Sequence, residues 1–153
     1  MRQWLMSMVC LLAILLPQPV VLASDIPAHT LVLVTNSDLA IKRFPPNELR
    51  KLFLGFPIIV DGTTLIPLRN YSDDLLKETF LQKVMYMSER HYDRQLLSLA
   101  FRTGRSRPPI YTDHNSLIQA LKHEPASISV IWFKDVNEDN ALRIIQTFKG
   151  RVH

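Results

Sequence analysis

The chain has 153 residues, 47% of them hydrophobic, with 18 Lys and Arg against 14 Asp and Glu for a net charge of +4. That is enough for one domain with a real core, and its mild basicity suits a small anion or an acidic partner surface, not nucleic acid. The one cysteine, Cys10, falls in the leading segment, which leaves the rest of the chain no disulfide, thiolate nucleophile or zinc-cysteine site.

Residues 1–23 read as a signal peptide. Arg2 supplies the positive start, residues 5–16 an apolar run of 12, and Pro17 and Pro19 break it before Ala23. Twelve residues fall short of the roughly 20 that span a bilayer as a helix. An uncleaved anchor running on to Ala23 is the alternative, opposed by the two prolines and Gln18. Cleavage after Ala23 leaves residues 24–153 as one exported domain, placed in the periplasm, with 17 basic against 14 acidic residues and a net charge of +3.

Residues 30–34, Thr-Leu-Val-Leu-Val, form a continuous apolar, β-branched run that predicts a buried strand ending at Asn36. Residues 46–54 predict a helix, with proline in its first turn, Leu49, Leu52 and Phe53 at helical spacing, and Gly55 as C-terminal cap. Asp61-Gly62 is a turn signal between strands at 58–60 and 64–68. Ser72 or Asp73 caps a helix that carries Leu76, Phe80, Val84 and Met87 on one face. A second helix presents Tyr92, Leu96, Leu99, Ala100 and Thr103 and stops at Gly104. Asp113 caps a short helix running to Lys122, and residues 128–133 are another strand, with Trp132 and Phe133 as core. Residues 141–148 are left open between strand and helix. Strands alternating with helices give an α/β class, a central sheet flanked by helices.

The chemistry that would mark an enzyme is missing. The five histidines (29, 91, 114, 123 and 153) form no metal-ligand pair, and no nucleophile elbow, P-loop or dinucleotide fingerprint occurs. Asp113-His114 beside Ser116 reads as a helix cap, not a triad. The expectation is a non-catalytic protein without metal or cofactor.

One ordered constellation goes further. Asn36, Pro46-x-Glu48-Leu49-x-x-Leu52-Phe53-Leu54-Gly55, Asp61-Gly62, Ile66-Pro67-Leu68-Arg69 and Ser72 together resemble the phosphate-binding proteins of ABC-type phosphate transporters. Phe101-x-x-Gly104, Pro108, Pro109 and Pro125-Ala126-x-Ile128 continue in the same order. The resemblance implies a type II periplasmic-binding-protein-like fold, cut to a single lobe. It also implies an oxyanion site in which Arg69 supplies charge, Ser72 and the helix start donate hydrogen bonds, Asn36 adds a donor, and Asp73 accepts from a protonated phosphate oxygen. A helix cap and a solvated strand end are the plain alternatives for Ser72 and Arg69. The family's Ser-Gly-Thr anion loop is here Asn70-Tyr71-Ser72-Asp73-Asp74, without glycine.

Such binding proteins close two lobes over their ligand, whereas one lobe offers half a cleft. It must bind weakly, form a homodimer, or present itself to a membrane transporter or sensor. The basic loop holding Arg102, Arg105 and Arg107 is a second candidate surface, for phosphate groups or an acidic partner.

Overall fold

The computed structural model describes residues 26–136 and 141–149; the expected signal peptide lies outside them. Five strands form the main sheet: β1 (Leu31–Thr35), β4 (Ile66–Asn70), β5 (Ile110–Tyr111), β6 (Ser127–Trp132) and β7 (Arg143–Phe148). Their order is β5-β4-β6-β1-β7. β4 runs parallel to both β5 and β6, while β1 runs antiparallel to β6 and β7.

The sheet is covered on both faces. Leu31 and Leu33 of β1, with Ile128, Val130 and Trp132 of β6, pack on α1 (Pro46–Phe53), α2 (Asp74–Phe80) and α3 (Glu89–Thr103) through Phe53, Phe80 and Tyr92. Val32 and Val34, with Leu68 and Ile131, pack on α4 (His114–His123) through Leu117, Ile118 and Leu121. Every residue of β1 is buried, which is why its sequence is a continuous apolar run and not an alternation. Both the α/β class and the flanked central sheet follow.

Local signals set the element ends. Gly55 and Gly104 take positive φ after α1 and α3, and Asp61 and Gly62 (φ 49° and 77°) turn a small separate ribbon, β2 (Ile59–Val60) with β3 (Thr63–Thr64). The strand expected at 64–68 is thus divided: Thr64 belongs to the ribbon and Ile66 opens β4. The helix after Ser72 is also divided. It continues as a π-helical turn over Leu81–Met85 and stops at Tyr86, whose φ of 54° is left-handed. Of the two candidate caps, Asp73 is the one used.

Residues 143–148 are strand. β7 pairs with β1, but its register shifts between Leu33 and Val34, so Ile145 is an extra residue between Ile144 and Gln146.

Candidate functional site

At the C-terminal end of β4, Asn70 is buried and organises the turn into α2. Its Nδ2 donates to the Val130 carbonyl at 3.0 Å, and its Oδ1 accepts from the Ser72 amide at 3.1 Å and hydroxyl at 2.7 Å. The Ser72 hydroxyl is therefore engaged within the chain. Asp73 follows as cap: Oδ1 accepts from the Leu76 amide at 3.0 Å and Oδ2 from the Trp132 indole at 3.2 Å. The Leu76 amide, then the Trp132 indole, hold the carboxyl below its ordinary pKa. The chain thus places its own anion where the family resemblance puts a bound one, and both oxygens of the ionised Asp73 carboxylate already accept hydrogen bonds from within the chain.

Asn36 does not belong to this corner. Leu68 is opposite Ser129 and Ser129 opposite Val34, so β1 ends beside the start of β4. Its Nδ2 donates to the Lys122 carbonyl at 2.7 Å, at the end of α4. Asn36 lies about four residues along the strand direction from the level of Asn70, roughly 13 Å, and two strands across. Antiparallel pairing of β1 is the cause.

Arg69 is 4% exposed, which overturns the reading of it as a solvated strand end. Side chains alternate along a strand, so with Leu68 toward α4, Arg69 points to the α3 face. β5 pairs outside it, the Arg69 amide bonding the Pro109 carbonyl, and shuts off the edge. Its Nε donates to the Pro108 carbonyl at 2.9 Å, and its guanidinium carbon lies 5.7 Å and 5.8 Å from the ring centroids of Tyr71 and Tyr92. Such aromatic faces attract a cation.

No described carboxylate pairs directly with Arg69, although Glu89 and Asp93 line one groove with it. Among the described residues, the ion pairs are Lys77 with Asp74 and with Glu89. The neighbouring Tyr71 hydroxyl is buried beside the Arg69 guanidinium. Burial raises its pKa, and the Arg69 charge acts in the other direction. The Tyr92 hydroxyl is satisfied by the Phe53 carbonyl at 2.6 Å, and burial raises its pKa strongly.

Arg69 lies in the floor of an open groove between α3 and β5. Arg90, Arg94 and Arg107 rim it, with Glu89 and Asp93 on the same helix and Leu97 and Ile110 as apolar wall. Arg107, from the basic loop, thus meets Arg69 in one place, which sequence order alone did not suggest. Arg102 and Arg105 are exposed and line other hollows on the far side of α3, by Phe56 and Leu99. Arg90, Arg94, Tyr71 and Tyr92 are additions to the residues expected from sequence. The i, i+4 spacing of Arg90 and Arg94 was a legible signal that they share a face.

The fold resembles that of an ABC-type phosphate transport receptor from Vibrio cholerae. The similarity has a TM-score of 0.56 at 10% sequence identity and covers 76% of this chain and 45% of the receptor. The chain therefore spans less than half of the receptor's length. No protein-family model matches the chain, and no curated protein matches it in sequence. At this identity the likeness to the receptor concerns the fold alone: a central sheet with helices on both faces.

Proposed function

We propose that this chain is an exported, non-catalytic, single-lobe binding module that takes a small oxyanion such as phosphate in the groove between α3 and β5. One observation carries the reading: among the described residues Arg69 is buried without a carboxylate at ion-pair distance, in the floor of a groove where three further arginines outnumber Glu89 and Asp93. Buried charges are ordinarily paired, because desolvating an unpaired one is costly. A bound oxyanion would supply a direct counter-charge and accept from planar guanidinium donors. In this reading Ser72 and Asp73 shape the corner beside the site and Asn36 has no part in it. The likeness to a phosphate receptor supports the ligand class, and the leader-like residues 1–23 support placement in the periplasm.

A second reading shares the surface. Phe101 is 82% exposed on α3, with Leu97 and Ile110 exposed beside the arginines. That mixture suits contact with a membrane transporter or sensor protein, which would complete the half-cleft. Phosphate titration of the monomeric protein at low salt, followed by amide shifts, separates the two. Shifts centred on Arg69, Arg94 and Arg107 that need several-fold more phosphate in Arg107→Ala and vanish in Arg69→Met support the anion site. An absence of saturable shifts at tens of millimolar phosphate overturns it and leaves the protein-contact reading.

A further inference from the structure

The opposite margin of the molecule carries a different surface. β7 is the end strand of the sheet, and among the described residues no strand lies beyond it. The other end strand, β5, has only two residues, whereas β7 has six. An end strand presents backbone donors and acceptors along its outer side, ready to pair with another extended chain.

The bulge at Ile145 limits the regular part of this edge to residues 146–148, which lie opposite Leu33, Val32 and Leu31. Alongside runs a groove between β7 and the π-helical turn. The Gln146 side chain accepts from the Phe44 amide at 3.1 Å and fastens one wall of the groove to the strand. Val84 and Phe148 supply apolar lining, and the exposed Tyr86 ring stands over the groove from a left-handed backbone position, with Arg50 at 5.9 Å from its centroid.

The charge of this groove selects its occupant. Among the described residues, Arg43, Lys83 and Lys149 line it and no carboxylate does. A second copy pairing β7 against β7 would bring the two sets of cations together, and like charges facing across strands are destabilising. We infer that the β7 edge accepts an extended segment of another protein as a sixth strand, with apolar residues toward Val84 and Phe148 and carboxylates toward Arg43, Lys83 and Lys149. This inference does not depend on the oxyanion groove, which lies at the other end of the sheet.

The test uses two synthetic probes: a capped seven-residue peptide alternating Glu and Val, and its Lys-Val counterpart. Amide shifts and hydrogen exchange are followed on the isotope-labelled protein. The acidic probe is expected to shift and protect the amides of residues 145–149 and leave those of α3 unchanged, while the basic probe does neither. Reversing the exposed Arg43 and Lys149 together, as Arg43→Glu with Lys149→Glu, should weaken the acidic probe by about five- to tenfold at low salt, the scale of two surface charge contacts. Thr147→Pro removes a backbone donor at the edge and serves as a second variant, provided its melt remains cooperative. Equal binding of the two probes, shifts confined to α3, or a concentration-dependent dimer formed through β7 would each overturn the inference.

Discussion

The Trp132 indole donates to the Asp73 carboxylate at 3.2 Å, joining the last residue of β6 to the cap of α2. The contact links two elements 59 residues apart in sequence. It also occupies the carboxylate that would otherwise face a ligand at the helix start.

Asp73 therefore matters first for stability. Asp73→Ala should cost about 1 kcal/mol or somewhat more, because the cap is lost and a partly buried indole N–H loses its acceptor. Asp73→Asn keeps an acceptor and should cost less. Chemical denaturation of the three proteins at neutral pH checks the order.

The same carboxyl gives a pH dependence. Its folded pKa is depressed, so it contributes stability that is fully present above the unfolded value near 3.9 and lost as pH falls through the folded one. Asp113, lowered by the Ser116 amide and hydroxyl, acts in the same direction. Melting temperature should therefore decline below about pH 4, and the decline should be shallower in Asp73→Asn. An equally steep decline in that variant would refute the assignment.

Arg69 separates binding from folding when its substitutions are compared. Arg69→Ala removes both the guanidinium and its stem from between two tyrosines and should cost about 1–3 kcal/mol. Arg69→Met retains the stem without the unpaired charge and should be neutral or stabilising, as buried charges replaced by well-packed apolar groups often are. Both should abolish the phosphate response. Arg107→Ala, on the exposed rim, should leave the melt within about 0.5 kcal/mol and weaken phosphate several-fold. Retained phosphate binding in Arg69→Met would place the site elsewhere.

Affinity is expected to reflect a half-cleft. A monomer should bind phosphate at about 1 mM, near −4 kcal/mol. Calorimetry on a sample shown to be monomeric by sedimentation checks it; micromolar affinity in that sample would contradict the single-lobe account.

Export is tested by the processed terminus. Ser24 should be the first residue of protein recovered outside the cytoplasm, read by N-terminal sequencing. Soluble protein that still begins at Met1 would refute the signal peptide.

What could be read from sequence follows from how local each signal is. β1 is legible because burial on both faces writes an unbroken apolar run, and α1 and α3 because glycine marks their ends. The Arg69 environment was not legible. Its burial depends on a two-residue strand, Ile110–Tyr111, and on a ring 23 positions away, Tyr92, neither of which leaves a mark near Arg69. Asn36 was misplaced because strand direction is a property of pairing, and residues 31–35 contain nothing that says parallel or antiparallel. β7 stayed undecided because the extra Ile145 puts two isoleucines in succession and interrupts the alternation that announces a strand.

The position of β1 also constrains when the molecule acquires structure. Its two neighbours, β6 and β7, both come from residues 127–148, so this fully buried strand has no partner until the distal part of the chain is present. Loops of this length close slowly and leave nothing local to hold the intermediate together. During synthesis the chain should therefore remain unfolded and protease-sensitive until residue 148 has emerged, a state compatible with threading through a narrow channel. A stalled nascent chain ending before β6 should show no protected core, and one extending past β7 should collapse in a single step.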